Sequence, residues 1–217
     1  MSASLQVVEG VARATLEEHS GSSRIGLKGP RAAEWLQQQG CDVPAIRNTW
    51  RAIGDDATSI VARLGSSEFF LEQSAPAAFI ERIAEALSSP IDGVYPVPRE
   101  DRAFVLHGID ADDVLSQICN VDFKSVSRSD RHVVMTMMIG IAVLAIPQEE
   151  GWRHSSFHRQ PRTSGSSAND LEVRDGSISG SASNAARQAN DGCYRLWCDP
   201  SYGDYFSSSL QDVIRGG

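Results

Sequence analysis

Gly29-Pro30-Arg31-Ala32-Ala33-Glu34-Trp35-Leu36 is answered, 79 positions later, by Gly108-Ile109-Asp110-Ala111-Asp112-Asp113-Val114-Leu115. Gly29, Ala32 and Leu36 have the same mutual spacing as Gly108, Ala111 and Leu115. Each stretch follows a short apolar run, near 24–27 in the first and at Phe104-Val105-Leu106 in the second, so both read as strand, turn and helix. The first helix is expected over about 31–39. Pro30 at its start sacrifices no hydrogen bond, and Gly40 can take the left-handed conformation that ends helices. The second helix is expected over about 111–119, with Val114, Leu115 and Ile118 inward.

Outward from these two stretches the order repeats. Residues 59–64 and 69–71 read as a hairpin turning at Gly65-Ser66-Ser67, and Pro76 opens a helix with Phe79, Ile80, Ile83, Ala84 and Leu87 on one stripe. In the second half, strands are expected at 133–138, 141–146 and 194–197, and a closing helix at about 202–214. The fold class that follows is α+β: two duplicated α/β sandwich modules packed together, residues 1–98 and 99–217. Pro96-Val97-Pro98-Arg99-Glu100-Asp101-Arg102 reads as an extended connector between them. Residues 148–191 are rich in Ser, Gly, Asn and Arg and poor in large apolar side chains, and read as a long loop or disordered insertion in the second module.

The 217 residues carry a formal net charge of −8 and no local Lys/Arg cluster, a field that repels phosphate backbones, so nucleic acid is not an expected partner. The longest apolar run, 135–146, is too short to span a bilayer as a helix and reads as buried strand. The opening residues lack the charged and apolar regions of a secretory signal, and a cytoplasmic chain without a membrane is expected. Cys41, Cys119, Cys193 and Cys198 form no CxxC pair, and no disulfide framework follows.

Catalysis needs paired groups, and the sequence shows no complete set. Gly21-Ser22-Ser23 and Gly65-Ser66-Ser67 lack the glycine pattern and the lysine of a phosphate loop and read as turns. His107, at a strand end, is within reach of a cleft but reads first as structural. His154 and His158 have metal-helix spacing in a stretch without helical pattern, so they read as loop histidines and no metal site is assigned. Asp110, Asp112 and Asp113 read as caps of a helix start. No catalytic, cofactor-binding or metal residue is assigned. Four side chains, Arg99, Arg102, Trp152 and Phe157, are expected to be partner contacts, because arginine and aromatic residues most often anchor interfaces.

Taken in order, Leu27-Lys28-Gly29-Pro30 and its helix, Ala62-Arg63-Leu64-Gly65 leading to Glu68-Phe69, Val97-Pro98-Arg99 before Phe104, Val114-Leu115 with Cys119 and Asp122, and Tyr194-Arg195-Leu196-Trp197 running into Ser201-Tyr202 and Tyr205 resemble the gamma subunit of heterotetrameric sarcosine oxidase. The resemblance covers roughly residues 20–147 and 193–215. It implies a ferredoxin-like fold related to the folate-binding region of the glycine cleavage T protein. It further implies an accessory, non-catalytic subunit of a flavoenzyme complex with alpha, beta and delta partners. That complex demethylates sarcosine or a related N-methyl amine to glycine, with hydrogen peroxide and formaldehyde or methylenetetrahydrofolate. FAD, FMN, NAD, tetrahydrofolate and zinc are then held by other subunits. Two alternatives stand beside this reading: a stand-alone folate-binding aminomethyltransferase-like protein, against which the absence of sequence for a C-terminal barrel is set, and a non-enzymatic interaction module.

Overall fold

Gly29 and Gly108 adopt the same left-handed backbone, with φ of 130° and 127°. A Cβ on Gly29 would overlap the carbonyl oxygen of Gly93, and one on Gly108 that of Arg13. Two residues on, the N–H of Arg31 donates to the same Gly93 oxygen at 3.0 Å, and that of Asp110 to the same Arg13 oxygen at 3.3 Å. A glycine is therefore required twice for one reason: a third chain segment crosses the strand-to-helix turn too closely for any side chain.

The computed structural model describes residues 13–54, 56–148 and 192–216. Around each glycine it builds one five-stranded antiparallel sheet. In the first, β2 (Ser23–Lys28) leads into α1 (Ala32–Gln38), then β3 (Thr49–Ile53), β4 (Asp56–Arg63), β5 (Glu68–Gln73), α2 (Ala78–Ala86) and β6 (Tyr95–Val97). In the second, β7 (Arg102–Gly108) leads into α3 (Ala111–Ile118), β8 (Val134–Met138), β9 (Ile141–Pro147), β10 (Gly192–Cys198) and α4 (Gly203–Gly216). The strand orders are β3-β4-β5-β2-β6 and β8-β9-β10-β7-β1, and they match position for position. The α+β class and the packed pair of modules expected from the repeat are present. The outer strand of the second sheet, β1 (Thr15–Glu18), comes from the chain ahead of the first module and pairs with β7, Thr15 opposite His107.

Helices cover one face of each sheet, and the other faces meet. Leu27, Leu36, Phe69, Leu71, Ile80 and Ile83 form the core under α1 and α2; Phe104, Leu106, Leu115, Leu196, Phe206 and Leu210 form that under α3 and α4. Between the sheets lie Trp50, Ile60, Ala62, Phe70, Ala103, Ile146 and Trp197. The central strands β5 and β10 thus bury both faces, which is why Phe69-Phe70-Leu71 shows no alternation. Ile139 and Gly140 at positive φ close the β8–β9 hairpin. Residues 135–146, expected as a buried strand, are this hairpin, and Met135 and Met137 are half-exposed on it. Among the described residues no helix is long and apolar enough to cross a membrane.

One cluster of charged side chains sits in the inter-sheet core. Glu72 of β5 accepts from Arg24 Nε of β2, from a terminal nitrogen of Arg195 on β10, and from Trp197 Nε1 at 2.7 Å. The side chains of Glu72, Arg24 and Arg195 are 3%, 4% and 6% exposed, so none can turn to water for a partner. Arg24 also donates to the backbone oxygens of His19, Ser20 and Asp101.

Two outcomes are expected. Gly29→Ala and Gly108→Ala each lower unfolding free energy in urea by about 2 kcal/mol or more, while Gly65→Ala, which meets only the Glu68 Cβ at 3.7 Å, stays within about 0.5 kcal/mol. Glu72→Ala leaves two buried guanidinium groups short of their anion and costs about 3–5 kcal/mol in the same assay; a loss below about 1 kcal/mol would contradict this account.

Candidate functional site

Trp197 and Cys198, at the end of β10, lie beside Ala142, Val143 and Leu144 at the start of β9. Together with Met135, Thr136 and Met137 of β8 they form the floor of a groove of about 870 Å³. The connector 98–101 walls it on one side, and Leu64 and Glu68, at the β4–β5 turn, on another. Met135, Met137, Ala142, Leu144 and Trp197 give the floor its inner-face side chains, where the first sheet stops covering the second, while Val143 and Cys198 turn to the core under the helices. Met135 and Met137 are 53% and 55% exposed there.

Arg99 stands in the wall. Its guanidinium lies 5.6 Å from the centroid of the Phe70 ring, and its terminal nitrogens are 3.7 Å from Glu68 and 3.6 Å from Asp101. The groove's one guanidinium is thus shared between two of its carboxylates. Cys198 is 1% exposed, and burial pushes its thiol up to about 11; burial likewise pushes Cys41 up to about 12. Neither thiol is poised as a nucleophile.

The structure brings Arg99 to the groove but not Arg102. Arg102 grips Glu18 of β1 through Nε at 2.7 Å and a terminal nitrogen at 2.8 Å, and reaches Asp204 of α4 at 3.0 Å. Its contacts among the described residues tie the second module together. Trp152, Phe157, His154 and His158 lie outside the described residues. His107 faces Glu17, Nε2 to Oε1 at 3.4 Å. The aspartates at the start of α3 do not cap it through their side chains, which corrects the sequence expectation. Asp110 pairs with Arg13 at 3.0 Å, Asp112 accepts the Tyr194 hydroxyl, and Asp113 pairs with Lys124 at 2.6 Å. Nearby side-chain donors outcompete the helix N–H groups, while the carboxylates keep their place at the positive end of the helix. Among the described residues no group of three or more His, Cys, Asp or Glu is arranged to hold a metal.

Sequence reasoning missed the methionine floor. Its only signal was the alternation Val134-Met135-Thr136-Met137, which an apolar run conceals, because methionine reads as core whichever way it faces.

The Arg102 clamp gives a pH test. Arg102, then the Ser20 hydroxyl, hold the Glu18 carboxyl below its ordinary value of 4.5. A carboxylate depressed in the folded state stabilises above the unfolded value and loses that contribution as pH falls through the folded one. Arg102→Gln should therefore cost up to about 1 kcal/mol at pH 7, and its urea midpoint should converge on that of the unmodified chain as the pH is lowered from 4.5 through the depressed value of Glu18. A gap that widens in acid would refute the assignment.

No protein-family model matches the chain, and no curated protein matches its sequence. Solved structures do match. A chain of the heterotetrameric sarcosine oxidase from Corynebacterium sp. U-96, determined in complex with pyrrole 2-carboxylate, is similar with a TM-score of 0.62 and 18% identity. The similarity covers 95% of this chain and 87% of that one. The glycine cleavage system aminomethyltransferase T from Bartonella henselae is similar with a TM-score of 0.55 and 13% identity, over 92% of this chain and 45% of that one. The chain therefore spans less than half of the aminomethyltransferase and most of the sarcosine oxidase chain. At these identities the likeness is one of fold, and the paired α+β modules are the architecture this chain shares with both proteins.

Proposed function

We propose that the chain is an accessory subunit of a hetero-oligomeric flavoenzyme of the sarcosine oxidase type. The observation that carries this reading is the two-way coverage: the similarity to a heterotetrameric sarcosine oxidase chain runs over nearly all of both chains, whereas the aminomethyltransferase likeness leaves more than half of that enzyme unmatched. The groove is consistent with it. Its one guanidinium, Arg99, is shared between Glu68 and Asp101, and the thiol of Cys198, turned to the core under the helices, is buried and held protonated. Such a site offers shape and charge to a partner rather than a proton or a nucleophile to a substrate.

On this reading the chemistry belongs to the other subunits. A secondary N-methyl amine, sarcosine or a relative, loses two electrons and a proton pair to flavin, and dioxygen reoxidises the flavin to give hydrogen peroxide. The methyl carbon leaves as formaldehyde or as methylenetetrahydrofolate, and FAD, FMN, NAD, tetrahydrofolate and zinc are held outside this chain. Alpha, beta and delta chains are the proposed partners.

Co-expression of the tagged chain with the genes beside its own tests the proposal. The expected result is a yellow complex of several chains that releases peroxide from sarcosine and does not form when this chain is left out. A colourless chain that purifies alone would refute the subunit reading, and tight tetrahydrofolate binding by that chain would favour the aminomethyltransferase-like alternative.

A further inference from the structure

The internal repeat supplies a control for the groove. β3 and β4 in the first sheet occupy the positions of β8 and β9 in the second. On the inner face of the first pair, Trp50 is 5% exposed and Ile60 and Ala62 are fully buried, because residues 131–133 cross beside β3: Trp50 N–H donates to the Arg131 oxygen at 3.0 Å and Val133 N–H to that of Asn48 at 2.8 Å. On the matching face of the second pair, Met135 and Met137 stand half in water, Ala142 is exposed and Leu144 is only partly buried. Ile46, 70% exposed, extends the patch beyond Leu64 and Met135. One of two equivalent faces is covered and the other is bare.

The rim says what would cover it. Glu68, Glu100, Asp101 and Asp199 line the groove against Arg99 alone. Asp101 Oδ2 accepts no hydrogen bond among the described residues, so the wall carries more negative charge than its one guanidinium neutralises. The rest of the chain does not offset this, since the whole carries −8. A second copy would bring the same acidic rim against itself. β9 ends at Pro147 and β10 begins at Gly192, at the strand ends opposite to Ala142 and Trp197 in the floor. The floor is also too open to enclose a small molecule, with its two methionines more than half exposed.

We infer that this groove is the docking site for a partner chain of the complex, and that it takes a segment whose apolar side chains lie on the methionine floor while flanking Lys or Arg side chains meet the acidic rim. Flexible methionine side chains adapt to apolar groups of several shapes, and the carboxylates set the polarity of the occupant. The inference rests on the subunit reading above and names the surface through which that assembly is made.

A photocrosslinker tests it in the assembled complex. With p-benzoylphenylalanine at position 137 of the full chain, co-expressed with its gene neighbours, irradiation should join the chain to a single partner at a peptide bearing apolar residues beside Lys or Arg. Met137→Glu, and separately Glu100→Lys, should lower recovery of that partner about tenfold, while Asp212→Lys on the far end of α4 leaves it unchanged. Melting of the variants free of partner should match that of the unmodified chain, because the altered side chains are exposed. Crosslinks to a second copy, to residues 149–191 of the same chain, or to nothing would overturn the inference if the unmodified chain still assembles. If the unmodified chain does not assemble at all, the subunit reading fails and this one with it.

Discussion

Glu72 is the group on which the rest of the arrangement depends. Removing a carboxylate from water costs several kcal/mol, and the cost is recovered only where donors converge with good geometry. Here the donors come from both sheets: Arg24 from β2 beside it, and Arg195 and Trp197 from β10 across the interface. Sliding either strand by one residue would turn these side chains to the helix-covered face and leave the carboxylate unpaired. The apolar residues around the network drive the sheets together without specifying their alignment, and the charged cluster selects one alignment. The same cluster shapes the groove. Trp197, which donates to Glu72, is part of its floor, and Arg24, which pairs with Glu72, also holds the backbone oxygen of Asp101 in its wall at 3.0 Å.

The duplication was legible because it is written in residues with one physical role each. Gly29 and Gly108 are irreplaceable for the same close approach, and the helices after them carry apolar stripes at helical spacing. Helices α1 to α4 and strands β2, β4, β5 and β7 to β10 were all expected from pattern, with ends within a few residues. The strands missed were β1, β3 and β6. All three are at sheet edges and have three to five residues; β1 and β6 pair with strands distant in sequence, so local pattern carries little trace of them, while β3 pairs with β4 directly after it but is too short to stand out. β6 was read as part of an extended connector, correct in backbone and silent on pairing. That β1 joins the second sheet is a property of the two modules together, and no window of sequence contains it.

The arginines of the connector show a different limit. Arg99 and Arg102 were equivalent candidates in sequence, three residues apart in one charged stretch. In the structure Arg99 precedes β7 and leans over Phe70 into the groove, while Arg102 begins β7 and points at Glu18 on the neighbouring strand. Which arginine is left for a partner depends on which finds its carboxylates at home. Arg102 has two of them in good geometry, one bidentate, and Arg99 has two at 3.6 and 3.7 Å, long for hydrogen bonds.

A duplicated fold in which both modules were equally covered would have no preferred place for a third body. The two sheets meet off-centre, however, and residues 131–133 bridge only to β3. That cover is not repeated over β8, where Leu64 and Glu68 at the β4–β5 turn reach the groove and Met135 and Met137 stay more than half exposed. The methionine face is thus left bare where its counterpart in the first module is covered, and the acidic residues gathered at its rim are what turn an uncovered patch into one with a defined polarity. Apolar area alone would attract any exposed strand, including that of another copy; the ring of carboxylates penalises a copy and favours a basic chain.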